Sequence, residues 1–117
     1  MGEIAFTHKV CKYLEDVQGA YVVPFVGHIM GMPGMPDRFI AHPKWSGWLE
    51  FKGKHTKLED IQKIRIKALK LRGVQAWVIR DDGDGNCKVE DTDGGRVDYC
   101  SPAKLLDMLQ KLQLERI

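Results

Sequence analysis

Residues 34–53 read Gly34-Met35-Pro36-Asp37-Arg38-Phe39-Ile40-Ala41-His42-Pro43-Lys44-Trp45-Ser46-Gly47-Trp48-Leu49-Glu50-Phe51-Lys52-Gly53. Asp37 to His42 and Trp48 to Lys52 have the composition of short strands, and only Pro43-Lys44-Trp45-Ser46-Gly47 separates them. A connection that short joins neighbouring strands, so the stretch predicts an antiparallel pair. Side chains alternate along a strand, which sets Glu50 and Lys52 on one face about 7 Å apart and turns Leu49 and Phe51 to the other. Asp37 opens the partner strand, where its carboxylate can converge with that of Glu50.

Two carboxylates and an amine gathered this way make a site of hard oxygen ligands, suited to Mg²⁺ with several retained waters. The backbone carbonyl of Phe51, between the acid and the amine, is a further candidate ligand. Lys52 then has the charge to position an attacking water and to offset negative charge developing at phosphorus. The same pattern also forms a cross-strand salt bridge on an exposed sheet face. The Gly/Pro loop that delivers Asp37, the capped helix that follows and the basic composition that begins here all favour the site.

Working outward, Ile4, Val10, Cys11, Leu14 and Val17 recur near helical spacing, predicting a helix from about Ile4 to Val17 with Gly19 as its stop. Tyr21 to Val26 reads as a strand whose Pro24 confines it to a sheet edge or a bulge. Gly27 to Pro36 is too rich in Gly and Pro to be regular. On the other side, Thr56-Lys57-Leu58-Glu59 has the form of a capping box, predicting a helix from Lys57 to Arg72 closed by Gly73. Val74 to Arg80 has a buried-strand composition. Two turn clusters, Asp82-Gly83-Asp84-Gly85-Asn86 and Asp93-Gly94-Gly95, bracket Lys88 to Glu90 and precede Arg96 to Tyr99, which makes a small meander. Ser101-Pro102 starts a last helix, to about Leu114, with Leu105, Leu106, Leu109 and Leu112 on one face. The fold class is α/β: a helix-strand-strand-strand-helix-strand mixed sheet flanked by helices, followed by a β-meander and a helix.

The chain of 117 residues is the size of one domain, 1–117, with a core over about 3–80 and a C-terminal extension over 81–117. No apolar run reaches the roughly 20 residues of a bilayer span, and the first residues lack the basic start and apolar stretch of a secretory signal. The three cysteines, Cys11, Cys87 and Cys100, form no C-x-x-C, so a reducing cytoplasm is expected. Charge is uneven: the net is −1 over residues 1–43, +6 over 44–73 and −3 over 74–117. A basic middle third is where an anionic partner would dock, nucleic acid being the commonest, although a solvated Lys-rich helix face has the same composition. Lys63, Lys67 and Lys70 form a stripe at helical spacing, joined by Lys57 and extended towards the site by Lys54 and His55. Trp45 and Trp48, in and after the hairpin turn, either stack on an unpaired base or belong to a core or dimer interface.

At this point the sequence resembles the PD-(D/E)xK nuclease superfamily and, within it, the small stand-alone VRR-NUC nucleases of phages and bacteria. The matching residues are Gly34-Met35-Pro36-Asp37, Glu50-Phe51-Lys52-Gly53, Leu58 and Gln62, then Leu69 to Gly73 and Val74 to Ile79, within a likeness running from about Glu3 to Arg80. The resemblance implies that Asp37 and Glu50 bind Mg²⁺, with Mn²⁺ as substitute, that Lys52 assists the attacking water and that Gln62 lines the site. It also matches Glu3 to an acidic residue that many relatives contribute to the metal. Glu15 on the same helix is a rival, and favourable charge at a helix N-terminus is the other reading of Glu3. By resemblance the chain is a DNA endonuclease acting as a homodimer on branched substrates such as four-way (Holliday) junctions, in the cytoplasm of a bacterium or phage host. The alternative is a nucleic-acid-binding module of the same fold that does not cut.

Other motifs are weak. Asp82, Asp84 and Asn86 resemble the opening of a calcium loop, but Cys87 stands where Gly is required. His8, His28, His42 and His55 show no ligand pairing with the cysteines, and neither a nucleophile motif nor a phosphate-binding Gly-Lys-Ser/Thr loop is present.

Overall fold

The computed structural model describes residues 1–27, 29–92 and 95–115. His28 and the Asp93-Gly94 part of the expected second turn lie outside the described residues.

Three helices and six strands follow one another as α1 (Glu3–Asp16), β1 (Tyr21–Pro24), β2 (Arg38–Ala41), β3 (Gly47–Lys52), α2 (Asp60–Lys70), β4 (Ala76–Asp81), β5 (Cys87–Glu90), β6 (Val97–Cys100) and α3 (Leu105–Glu115), with a 3-10 turn at Pro102–Lys104 before α3. The strands form one mixed sheet in chain order, β1-β2-β3-β4-β5-β6. The expected β2/β3 pair is antiparallel, with Arg38 opposite Leu49 and Phe39 opposite Trp48. β3 and β4 are parallel, with α2 as the crossover between them, and β4/β5 and β5/β6 complete an antiparallel meander. β1 is an edge strand, as Pro24 requires.

Alternation along β3 divides the interior. Leu49 and Phe51 join Trp77, Ile79 and Val89 in a core closed by Phe6, Val10 and Leu14 of α1 and by the four leucines of α3. On the opposite face Ile66 of α2 packs on Ala76 and Val78, with Trp48, Leu58 and Leu69 around them. Glu50 and Lys52 point to this second face but are buried as well, which an exposed salt bridge would not be. Ile4, expected on the apolar side of α1, is 86% exposed, because the helix turns its Phe6-Val10-Leu14 stripe, not Ile4, to the sheet.

Two expectations are corrected. The helix does not begin at Lys57: Glu59 is the N-cap and forms the reciprocal box with Gln62, whose Oε1 accepts the Glu59 amide at 2.9 Å. Thr56 cannot act as the cap because Arg80 holds residues 53–56 in an open turn, donating from Nη1 to the Gly53 carbonyl at 2.9 Å and also to the Thr56 carbonyl. Trp45 is not an exposed platform. It is 2% exposed within the main core. It packs over Gly47, where a Cβ would come within 2.8 Å of the Trp45 ring. Among the described residues no helix is long and apolar enough to cross a membrane.

Candidate active site

The register of the β2/β3 pair, carried one residue beyond Arg38 and Leu49, sets Asp37 opposite Glu50 on the face turned to α2. The loop before Asp37 is held against that helix. Gly34 has φ +84°, and a Cβ there would lie 2.9 Å from the Ile61 backbone, so the Gly-x-Pro-Asp turn needs its glycine for both conformation and close approach. Arg65 Nε donates to the Pro33 carbonyl at 3.1 Å and closes the same contact.

Glu50 is the hub. Its Oε2 accepts from Gln62 Nε2 at 3.3 Å and lies 3.9 Å from Lys52 Nζ, with Glu50 and Lys52 only 5% and 6% exposed. Gln62 thus caps α2 through its oxygen and reaches Glu50 through its nitrogen. Burial, and then the neighbouring charge of Asp37, push the Glu50 carboxyl up to about 8, against the opposing pull of Lys52. Burial also pushes Asp37 up to about 6, although the Arg38 guanidinium and a hydrogen bond from the Phe51 backbone oppose the shift. Asp37 Oδ1 is buried with no hydrogen-bond partner. A buried acceptor left bare beside a second buried carboxylate is costly unless a proton or a cation joins them.

Glu3 belongs to this cluster electrostatically, since its charge raises both Asp37 and Glu50. Its Oε1 accepts the Gly53 backbone amide at 3.1 Å, at the end of β3 next to Lys52. Among the described residues no three His, Cys, Asp or Glu side chains are gathered as a ready-made metal site. What the fold assembles is a pair, Asp37 and Glu50, with Glu3 one step away. The bare Oδ1 and the two ionisable carboxyls are the donor chemistry a hard divalent cation takes. Glu15 is exposed and lines a neighbouring cleft of about 380 Å³ between α1 and β1, with Glu3, His8, Asp37 and Arg38.

The site opens into a cleft of about 420 Å³ lined by Phe25, Gly34, Asp37, Arg38, Glu50, Glu59 and Gln62 among others. Arg38 and Glu59 were not singled out from the sequence. Arg38 follows Asp37 in a strand and should face away from it, but its long side chain borders both clefts. Glu59 was legible as the first member of a Glu-x-x-Gln box, a signal hidden by the overlapping Thr-x-x-Glu.

The basic residues divide. Lys54, His55 and Lys57 are exposed in the loop after β3, and Lys63 and Lys67 are exposed on α2. Lys70 does not continue the stripe to solvent. It pairs with Asp91 at about a tenth exposure and lies 5.9 Å over the Trp77 ring, because the last turn of α2 packs against the β4–β5 side of the sheet. Trp48 is half-buried, edge-on to Phe25 and Phe39 at 5.5 and 5.2 Å. The Asp82–Asn86 segment is a hairpin turn in which Asp82 Oδ1 accepts the amides of Asp84 and Asn86, so that carboxylate oxygen serves the turn itself.

Comparison with family models, with curated proteins and with solved structures finds no match to this chain.

Proposed function

We propose that this chain is a metal-dependent DNA endonuclease of the PD-(D/E)xK type, similar to the VRR-NUC nucleases, which hydrolyses phosphodiester bonds in branched DNA such as four-way junctions. The observation that carries the reading is the bare, buried Asp37 Oδ1 beside the Glu50 carboxylate, with Lys52 and Gln62 both on Glu50. A structural salt bridge would satisfy its acceptors, whereas a catalytic pair keeps them free for a ligand.

In this reading Asp37, Glu50 and the Phe51 carbonyl hold Mg²⁺ or Mn²⁺, with Glu3 next to them. The ion would supply Lewis-acid polarisation of the phosphodiester, and Asp37 and Glu50 would hold it in their ionised form. Gln62 holds the Glu50 carboxylate in one orientation. Lys52 positions the attacking water and offsets the charge that builds on the phosphate oxygens. Hydrolysis leaves a 5′-phosphate and a 3′-hydroxyl. Lys54, His55, Lys57, Lys63 and Lys67 are the cations that would follow the DNA backbone. Two copies related by a two-fold axis would present two equivalent sites to strands of opposed polarity. The cytoplasm is the compartment this substrate and three unpaired thiols suit.

The deciding experiment compares a labelled four-way junction with its linear duplex in Mg²⁺, Mn²⁺ or EDTA, for the wild type, Asp37→Ala and Glu50→Ala. We expect metal-dependent, junction-selective nicking that falls by about a hundredfold or more in each variant while DNA binding persists. Binding without cleavage by the wild type under every metal condition would replace this reading with a non-cutting module.

A further inference from the structure

Outside the candidate site, the meander carries a second cluster of reactive side chains, a pair of sulfurs. Cys87 begins β5 and Cys100 ends β6, and the register sets them directly opposite each other. Opposite residues of an antiparallel pair lie on the same face. Cys87 is fully buried in the main core and Cys100 packs on that core half-buried, on the outermost strand of the sheet. The Asp91 amide donates to the Arg96 carbonyl at 3.1 Å. Counting two residues at a time from that pair makes Cys87–Cys100 a hydrogen-bonded position, where Cα atoms stand roughly 5.5 Å apart. Disulfides span that Cα separation but want Cβ atoms about 3.5–4.5 Å apart, closer than a hydrogen-bonded pair sets them, so a bond here is one that is readily reduced again.

We propose that Cys87 and Cys100 form a redox-active dithiol, oxidised to a cross-strand disulfide by low-molecular-weight disulfides, and that Cys11 takes no part. Cys100 is the attacking thiol, because it is the one reachable from the sheet edge. Its hydrogen bond with Cys87 lowers its pKa, while the same bond and burial raise that of Cys87, so Cys100 is the more acidic thiol of the two. The Cys100 thiolate attacks one sulfur of the reagent R–S–S–R, forming a mixed disulfide and releasing one thiolate, which takes up a proton. Cys87 Sγ then gives up its proton and attacks the Cys100 sulfur, and the second RSH leaves. The protein loses two electrons and two protons, and the reagent becomes two thiols. Cys11 lies on α1, where burial pushes its thiol up to about 11, and it sits beside Arg38 of β2, three strands from β5. The inference does not depend on the nuclease reading.

The test is incubation of the native wild-type protein with oxidised glutathione, followed by intact mass, alkylation of the remaining thiols and peptide mapping. We expect a product lighter by the mass of two hydrogens, one alkylatable thiol at Cys11, and a Cys87–Cys100 linked peptide. The bond should form at least tenfold faster in the native protein than in the urea-unfolded chain, since the fold supplies the proximity. The Cys87→Ser variant should stop at one glutathionyl adduct on Cys100. Accumulation of mixed disulfides only, a bond that includes Cys11, or a native rate no faster than the unfolded one would overturn the proposal.

Discussion

At the scale of single residues, the buried pair Asp37 and Glu50 makes the stability of the protein depend on pH in an unusual direction. Asp37 shifts from 3.8 to about 6 and Glu50 from 4.5 to about 8 on folding. A carboxyl whose pKa rises on folding contributes fully below its unfolded value and loses that contribution as pH rises through the folded one. In EDTA, therefore, the melting temperature is expected to fall between about pH 5 and pH 8, and Glu50→Gln should flatten that slope and melt higher than the wild type at pH 8. Mg²⁺ should raise the wild-type melting temperature at pH 8 and have little effect at pH 5, where protons hold the same oxygens. Thermal melts across this range check all three, and a Glu50→Gln protein that melts lower than the wild type at pH 8 would show that Lys52 alone balances the carboxylate. The alternation of Glu50, Phe51 and Lys52 was legible because a strand has a fixed period. For Trp45 the sequence left a base contact and the core both open, and the space at Gly47, which no local pattern encodes, decides for the core. Trp45 Nε1 is itself buried without a hydrogen-bond partner.

Among the elements, α2 carries the most information per residue. Gln62 serves two structures at once, and its variants separate them. Gln62→Ala should cost about 1 kcal/mol of stability through the lost cap and reduce cleavage more than that loss explains. Gln62→Glu should keep the cap but set a like charge against Glu50, lowering cleavage with little change in melting temperature at low pH. Denaturant melts and single-turnover cleavage on the same preparations distinguish the two. Further along the helix, Lys67→Ala should lower the slope of log K against log salt for DNA binding by about 1, whereas Lys70→Ala should leave the slope unchanged and destabilise the fold. The helix itself was legible, but its start was displaced by three residues because two overlapping capping patterns compete and a tertiary contact, Arg80 on Gly53 and Thr56, decides between them. Lys70 looked like one more member of a solvated stripe because its partner, Asp91, comes from beyond β5.

For the molecule as a whole, the architecture was readable wherever local signals agree: Pro24 for an edge, a short turn for β2/β3, Asp-Gly turns for the meander and four leucines for α3. The parallel β3/β4 junction followed only from inserting a helix between two strands, and that helix brings Gln62 to the site. Strand order that copies chain order means that each strand, as it leaves the ribosome, lies down beside the one made just before it. The longest interval between paired strands is residues 53–75, which must close over α2 before β4 can join. In refolding kinetics Gln62→Ala is accordingly expected to act on the unfolding rate rather than the folding rate, checked by chevron analysis. The same interval brings Gln62 to Glu50, so the face of the sheet that carries Glu50 and Lys52 stays uncovered until residues 53–75 have closed over it.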